Sequence, residues 1–325
     1  MQNSFQPKTA NYGQTFKVCP FCLHKFMVYY LYTLFTEPVI IIHINSECCS
    51  RIQIMFISTG KLIHGGIMKI LFIGDVVGEN GQDLLAKAMP KLKAEHKPDI
   101  TIINGENSHK SGTGLTEADA RFLFGCGADV ITGGNHSLRR CNVDFYEENE
   151  IVLCPANFNV VNDEKCGVCV VDMGRNQLCV VSLIGTVFLD ANRSPFFEMD
   201  KIIKKYGDMP IFVDFHAEAT SEKYALAHYL DGKVSAVVGT HTHVQTNDDH
   251  ILPNGTAYIS DAGCVCALDS VLGMDKKACV TKQKYLCPVK FEDAKGEGSV
   301  NGVVIDIDTK NRKAVSIDKI HTKFN

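Results

Sequence analysis

The chain has 325 residues, of which 45% are hydrophobic and 22% are charged, a composition typical of a globular protein and not of a disordered one. Its 33 basic and 37 acidic residues give a net charge of −4, so we expect no strong nucleic-acid surface and no attraction to an anionic membrane. The 14 cysteines are too few for a disulfide framework in a chain of this length, and their scatter through apolar segments indicates reduced core residues of a cytoplasmic protein.

Residues 1–67 show no sustained helical or strand periodicity, and we predict an N-terminal extension that is not a folded domain. The stretch 26–44 is apolar enough for a membrane anchor to be an alternative, although Glu37, Pro38 and His43 interrupt it. The CPFC segment at 19–22 has redox or zinc spacing but no second cysteine pair, which favours a structural role. A further hypothesis is that translation begins at Met68, since codons for the two preceding glycines can spell a ribosome-binding sequence. Mass spectrometry of the native N-terminus would decide it.

From Met68 the pattern alternates strand, polar cluster and helix. An apolar strand at 68–74 leads to Asp75, and an amphipathic helix at 81–96 follows, with a kink expected at Pro90. The next predicted elements are a strand at 100–103 ending in NGEN, a helix capped by Thr116 and running to about Gly125, and a strand at 128–132 ending in GGNH. This alternation predicts a parallel sheet with polar residues at its carboxyl edge.

The second half is richer in strands. We predict a hairpin of 166–172 with 178–184, a strand at 210–215 ending at His216, and a helix at 221–230. A buried strand at 234–238 then leads into GTHTH at 239–243, and a strand at 257–260 and a β-rich tail at 302–307 and 314–320 follow. A second sheet is therefore expected in this half.

Five strand ends carry residues of the types that bind metals. The loop after the 234–238 strand allows two imidazoles to converge, which a regular strand would point to opposite faces. Carboxylate, amide and imidazole donors without thiolates favour iron or manganese over structural zinc. The sequence therefore predicts a metal centre at one edge of the sheet, formed by residues among Asp75, Glu106, Asn107, Asn135, His136, His216, His241 and His243.

Several of these blocks resemble those of a known family. IGDVVG at 73–78, DFHAEATSEK at 214–223, HTHVQT at 241–246 and DSVLGM at 269–274 are similar to the motifs of the calcineurin-like metallophosphoesterases, and most closely to the bacterial YmdB-like branch. The resemblance extends over about 68–325. It implies an α/β fold, a four-layer α/β/β/α sandwich of two mixed sheets flanked by helices.

The resemblance also implies an activity, the hydrolysis of cyclic nucleotides, 2′,3′-cyclic AMP among them, by two transition-metal ions, with iron first and manganese as the alternative. A hydroxide that bridges the ions would attack phosphorus in line. In this scheme His136 is the proton donor, and Glu106 bridges the ions. The first ion would be held by Asp75, Glu106, Asn107 and His243, and the second by Asn135, His216 and His241.

Two positions differ from the wider superfamily: Val77 stands where a histidine is usual, and Glu106 replaces an aspartate. Both differences are features of the YmdB-like branch. After GNH this chain continues with SLRR instead of the usual Thr-Trp-Asp. Arg139 and Arg140 could contact a phosphate or cap a helix, and the second interpretation is favoured. Asp214 and Glu218 are candidate partners of the metal ligands, and for Asp214 a simple strand-end position is an equal alternative.

Two other functions stay open at this stage. One is a phosphatase or nucleotidase on the same scaffold, because a fold does not specify the leaving group. The other is a regulatory protein that binds a nucleotide without turnover. The expected partner is a small phosphodiester, with no membrane involved, and the sequence leaves homo-oligomer formation open.

Overall fold

The structure is a computed structural model. It describes residues 66–158, 166–189, 191 and 193–324, and of the segment before residue 66 only the backbone of three strands. The chain divides into two compact units, Met1–Leu62 and Ile63–Asn325. In the first unit the three strands pair antiparallel in the order β1-β2-β3: β1 is Phe26–Leu31, β2 is Val39–Ile44 and β3 is Phe56–Ile57. The CPFC segment lies outside the described residues, and the prediction that 1–67 is not a folded domain stays a prediction.

The second unit contains two mixed sheets. The larger has seven strands in the order β5-β14-β15-β4-β6-β7, with β16 paired to β15, and the smaller has six in the order β12-β13-β11-β10-β9-β8. The strands are β4 Ile67–Ile73, β5 Asp75–Val76, β6 Ile100–Asn104, β7 Val130–Thr132, β8 Val168–Asp172, β9 Gln177–Ile184, β10 Ile211–His216, β11 Ala236–Thr240, β12 His250–Ile251, β13 Ala257–Ile259, β14 Cys264–Ala267, β15 Gly298–Asp308 and β16 Lys313–Phe324.

Six α-helices are described in this unit: α1 Gly78–His96, α2 Glu117–Gly125, α3 Val143–Glu148, α4 Pro195–Tyr206, α5 Thr220–Leu230 and α6 Lys276–Tyr285. None of the helices in the described part of the chain has the length and apolar character needed to cross a membrane. The helix cap predicted at Thr116 is present, and it takes the form of a capping box in which Asp119 is the reciprocal partner.

The side chains of β4 alternate between two cores, as strand geometry requires. Ile70 and Phe72 point into a core between the two sheets, where the rings of Phe72 and Phe212 lie 5.3 Å apart. Leu71 and Ile73 point the other way, against α1 and α2. Together with a third core, in which the smaller sheet packs against α4 and α5, this gives four layers, and the predicted α/β/β/α sandwich is confirmed.

The structure corrects several sequence-based expectations. The strands that carry the metal-type residues belong to two sheets rather than to one, because β4, β6 and β7 are in the larger sheet and β10 and β11 in the smaller. Helices α3, α4 and α6 and strand β14 were not predicted. The sequence held a signal for α4, which starts with a proline at its first turn and has an apolar face. It held little for α6, whose only buried residue is Cys279. Helix α1 starts at Gly78, three residues earlier than expected, and continues through Pro90.

The hairpin, the second sheet and the strand before GTHTH are observed as expected. Residues 168–172 and 177–184 pair antiparallel around the turn. The described cysteines are all free, and most of them are buried. Cys126 is only half-buried.

Candidate metal centre

The eight residues predicted for the metal centre lie together where the strands of the two sheets end. One residue separates Asp75 from the end of β4, and Asp75 is the first residue of β5. Glu106 and Asn107 follow β6, and Asn135 and His136 follow β7. His216 ends β10, and His241 and His243 follow β11. The core between the two sheets therefore positions the site, since it sets the distance between strand ends that belong to different sheets.

One group of donor atoms is centred on the buried His216. Its Nε2 lies 2.9 Å from Asn135 Oδ1, 3.0 Å from His241 Nδ1 and 3.3 Å from Glu106 Oε1. Gly134 allows this approach, because a Cβ there would lie 2.3 Å from Glu106 Oε2 and 2.5 Å from His216 Nε2. Three electron-rich atoms thus surround one ring nitrogen, an arrangement that a cation at their centre would stabilise.

A second group is centred on His243. Its Nδ1 lies 3.0 Å from the Leu272 carbonyl oxygen and donates to it, which leaves Nε2 without a proton in the neutral ring. This Nε2 lies 3.2 Å from Asn107 Nδ2 and 3.9 Å from Asp75 Oδ1. Seven of the eight residues therefore form two adjoining groups, with Asp75 and Glu106 between them.

The residues present fit metal ions. Asp75 Oδ1 and Glu106 Oε1 are buried oxygens that have no hydrogen-bond partner among the described residues. One ligand atom from each of Asp75, Glu106 and His216 can be chosen so that all three lie within 4.8 Å of one another. Leaving buried carboxylate oxygens unpaired is costly in free energy, and a divalent cation would compensate both.

The carboxylates and imidazoles of the site shift one another's protonation. Burial raises the pKa of Asp75. Burial also opposes ionisation of Glu106, but His216 and His136 outweigh it and hold the pKa of that carboxyl well below its usual value. In His216, burial disfavours the charged ring, yet the nearby Glu106 and Asp75 raise its pKa to about 9. In His241, burial and the charge of His216 lower the pKa to about 3. Without metal, His216 is therefore the charged imidazole and His241 the neutral one.

A chain of hydrogen bonds orients the His216 ring. The buried Thr240 hydroxyl donates to Asp214 Oδ1 at 2.7 Å and has only one proton, so it accepts from His216 Nδ1 at 3.0 Å. This directs Nε2 to the centre. Burial raises the pKa of Asp214 to about 6, although Thr132 and Asn104 also donate to it. Asp214 thus acts on His216 through Thr240, and the expectation that it supports a ligand agrees with these contacts.

The two histidines of GTHTH have unusual backbone conformations, with φ of 99° at His241 and 64° at His243. Such positive φ values cost non-glycine residues free energy unless neighbouring contacts enforce them. Here Asp261 Oδ2 accepts from both the backbone nitrogen and the hydroxyl of Thr242, at 2.9 and 2.8 Å. The same oxygen accepts from the fully buried Lys223 at 2.9 Å, and Lys223 also donates to the Thr240 carbonyl at 2.8 Å.

This Lys223–Asp261 pair was not identified from the sequence. Lys223 is the last residue of the DFHAEATSEK block, so its position was marked, but Asp261 comes from a different loop and carried no local signal. Glu218 contacts the outer nitrogen of His241, Nε2, at 2.9 Å. The carboxylate therefore directs Nδ1 of His241 to the centre.

His136 lies beside both groups rather than inside either. Its Nδ1 is 2.7 Å from Asn107 Oδ1 and 3.2 Å from Glu106 Oε1, and its backbone nitrogen donates to Glu106 Oε2 at 2.8 Å. The neighbouring arginines do not line the cavity at the centre: Arg140 donates to Ser111 Oγ at 2.9 Å, and Arg139 ends a short 3₁₀ helix. The interpretation of these arginines as structural is therefore favoured.

A cavity of about 450 Å³ opens over the centre. Glu106, Asn107, His136, His241 and His243 form its floor, and its walls include Val77, Thr113, Glu218, Leu272, Met274 and Phe291. This volume is in the range of small-molecule sites. Apolar walls over a charged floor suit a ligand with one anionic and one apolar end.

Comparison with known proteins identifies relatives. A family model described as YmdB-like protein matches residues 71–320. The chain is 47% identical over 256 residues to a Bacillus subtilis protein named 2′,3′-cyclic-nucleotide 2′-phosphodiesterase, covering 78% of this chain and 96% of that one.

Two solved structures are similar to the fold. One is a hypothetical protein from Thermus thermophilus, with 34% identity and a TM-score of 0.73, matched over 79% of this chain and 100% of the other. The second is a protein from Mycoplasma pneumoniae described as a novel phosphatase, with 30% identity, a TM-score of 0.73, and 80% and 94% of the two chains matched.

Proposed function

The chain belongs to the YmdB-like family of metallophosphoesterases, and from this premise we propose that it is a metal-dependent phosphodiesterase that hydrolyses 2′,3′-cyclic nucleotides. The observation that carries the proposal is a pair of buried carboxylate oxygens, Asp75 Oδ1 and Glu106 Oε1, that have no hydrogen-bond partner among the described residues. Histidine nitrogens lie within 4 Å of both oxygens, and Glu106 lines the floor of the cavity. The name of the Bacillus subtilis relative supports the choice of substrate.

Two transition-metal ions would fit the two groups of donors. Asp75, Glu106, Asn107 and His243 would hold one, and Asn135, His216 and His241 the other, with Glu106 shared. Iron is the proposed metal and manganese the alternative, since the donors are oxygen and imidazole nitrogen without thiolate. When bound, such ions supply a nucleophile from water at neutral pH and neutralise charge on the phosphoryl oxygens.

His136 supplies the proton that the reaction needs. Opening the cyclic phosphate breaks one P–O bond, and the departing sugar oxygen must be protonated. The contact of Nδ1 with Asn107 and Glu106 fixes the ring so that Nε2 is the nitrogen free to donate. Both contacts of Nδ1 are to oxygens, Asn107 Oδ1 and Glu106 Oε1, so Nδ1 carries a proton. The ring would donate from Nε2 in its imidazolium form, in which both nitrogens are protonated. Proton donation of this kind contributes about 10²- to 10⁴-fold to the rate.

The cavity walls complete the proposal for a nucleotide. The cyclic phosphate is the anionic end and belongs at the charged floor, whereas the base packs against Leu272, Met274 and Phe291. Glu218 and Thr113 offer polar contacts to the sugar or base. We also propose that the protein is cytoplasmic, which the free thiols of the described cysteines support.

The description of the Mycoplasma pneumoniae structure as a phosphatase favours one second candidate, hydrolysis of phosphomonoesters. A comparison of 2′,3′-cyclic AMP, 3′,5′-cyclic AMP, AMP and bis(p-nitrophenyl) phosphate as substrates separates the two. We expect 2′,3′-cyclic AMP to give the highest kcat/KM. A preference for AMP would replace the phosphodiesterase with a phosphatase, and tight binding of nucleotide without turnover would indicate a regulatory protein.

The metal requirement is tested in parallel. Glu106→Gln should lose metal, measured by elemental analysis, together with activity, because the amide has one fewer anionic oxygen between the two groups. Glu148→Gln is the matched control, since Glu148 is an exposed residue at the end of α3. Full activity of the metal-free wild type would overturn the proposal.

A further inference from the structure

A second cavity of about 460 Å³ adjoins the cavity over the metal centre. The two cavities share Val271, Cys279 and Phe291 as lining residues, so these residues form a common wall. Lys282 and Lys284 of α6 line only the second cavity. A ligand that is bound at the metal centre and is longer than one nucleotide can therefore extend along this wall into the second cavity.

The second cavity has a local charge opposite to that of the whole chain. Residues 276–291 contain five lysines and no acidic residue, whereas the chain carries a net charge of −4. Lys276 pairs with Asp269, and Lys290 pairs with Glu292. No carboxylate forms an ion pair with Lys282 or Lys284 among the residues that the structure describes. Two cations thus remain available to a ligand anion beside the shared wall.

Aromatic rings lie next to these cations. Lys282 Nζ is 4.8 Å from the centroid of the Phe291 ring, and Lys284 Nζ is 5.0 Å from that of Tyr285. Phe291 and Tyr285 are 37% and 63% exposed, which leaves ring surface on which another group can stack. Lysines beside exposed aromatic rings are the combination that binds single-stranded nucleic acid, because the cations contact phosphates and the rings stack with bases.

Helix α6 contributes little to the hydrophobic core, so core packing does not account for its presence. Of its ten residues only Cys279 is buried, and Val280 is 58% exposed. Asp275 caps its start, since its Oδ1 accepts a hydrogen bond from the Ala278 nitrogen at 2.9 Å. The helix therefore presents most of its surface to the solvent and to the second cavity.

We propose that the second cavity is the binding subsite for the nucleotide that precedes a terminal 2′,3′-cyclic phosphate in an oligoribonucleotide. This rests on the proposed function, and it extends the substrate class from cyclic mononucleotides to RNA 3′ ends. With the cyclic phosphate at the metal centre and the terminal nucleoside in the first cavity, the 5′ oxygen of that nucleoside carries the next phosphodiester. The lysines of α6 contact this phosphodiester, and the aromatic rings stack with the next base.

The reaction is the same at an RNA end as on a mononucleotide. Water contributes a hydroxyl group to phosphorus, one P–O bond of the cyclic phosphate breaks, and the remaining proton goes to the released sugar oxygen. The product is a terminal phosphomonoester with the adjacent hydroxyl free. No other reactant is needed, and only the part of the substrate outside the reacting ring differs.

The experiment compares kcat/KM for 2′,3′-cyclic AMP with that for the dinucleotide ApA ending in a 2′,3′-cyclic phosphate. In the wild type we expect the dinucleotide to be preferred by about tenfold, the magnitude of one stacked base. The lysines hold the phosphodiester that places the next base on the rings, so Lys282→Ala/Lys284→Ala should remove this preference and leave the mononucleotide unchanged. The control is Lys91→Ala/Lys204→Ala, which removes the same charge from exposed positions of α1 and α4 and should retain the preference.

The subsite is overturned if the wild type does not prefer the dinucleotide, or if the α6 variant loses activity equally on both substrates. Failure of the proposed function looks different, since neither substrate would then be hydrolysed. In that case binding of a fluorescently labelled dinucleotide, measured by anisotropy, decides the subsite alone. Weaker binding by the α6 variant than by the control would support it, and equal binding would exclude it.

Discussion

Replacing Lys223 by methionine tests whether the buried Lys223–Asp261 pair holds the two histidines of the centre. Lys223 is fully buried and donates to Asp261 and to the Thr240 carbonyl. Methionine fills a similar volume but leaves the Asp261 carboxylate buried without its cation. Removing one partner of a buried ion pair costs about 3–5 kcal/mol, and each kcal/mol lowers the Tm of a domain of this size by about 2–4 °C. We therefore expect the Tm to fall by about 6–20 °C.

The same variant should weaken the metal centre. Asp261 also accepts two hydrogen bonds from Thr242, the residue between His241 and His243. The positive φ values of the two histidines cost about 1–3 kcal/mol each to maintain. When Asp261 loses its cation and shifts, these residues can relax and their rings turn away. Loss of such supporting contacts typically reduces metal affinity by about 10- to 100-fold.

Two measurements check this reasoning, calorimetric unfolding of the metal-free protein and metal content after dialysis against a weak chelator. Lys233→Met is the matched control, because Lys233 is exposed and its Nζ lies over the Tyr229 ring, 3.8 Å from the centroid. The double variant Lys223→Met/Asp261→Asn should recover part of the Tm, since no unpaired charge stays buried. If Lys223→Met unfolds and retains metal as Lys233→Met does, the pair does not position the histidines.

Three further predictions concern the centre itself. His136→Gln should lower kcat by about 10²- to 10⁴-fold while metal content stays unchanged, and loss of metal in this variant would show that His136 is a ligand. His241→Ala and His243→Ala should each reduce the metal content by mainly one ion, because the two rings belong to different groups of donors, and loss of both ions in either variant would contradict this division. Metal binding at pH 7 should release at least one proton. In the metal-free protein the pKa of His216 is raised to about 9, so the ring must lose a proton before Nε2 can bind metal. The release should decline as the pH rises above 9. Titration calorimetry in buffers of different ionisation enthalpy measures it, and binding without proton release at pH 7 would refute this assignment of the proton.

Much of the centre could be predicted because its signals are local in the sequence. Each donor comes within a few residues of the end of an apolar strand, so the pattern of strand and polar cluster marked Asp75, Glu106 and His216 without knowledge of the sheets. The resemblance of the motifs then implied the four layers and the division of the donors into two groups. The roles of the individual ligands stay predictions.

Tertiary structure decided what depends on residues far apart in the chain. The sequence placed the strand ends at one edge of a single sheet, whereas they belong to two sheets, because strand pairing is determined by packing across the core and not by the order of the strands. Asp261 was missed for a similar reason, since it contacts Lys223 and Thr242 from a loop with no motif. The second cavity also needed the fold: α6 has no apolar stripe to predict it, and only the structure brings its lysines and Phe291 beside the metal centre. Short runs of residues determine which donor side chains follow each strand. The burial of those side chains and the distances between them are determined only when distant segments pack together.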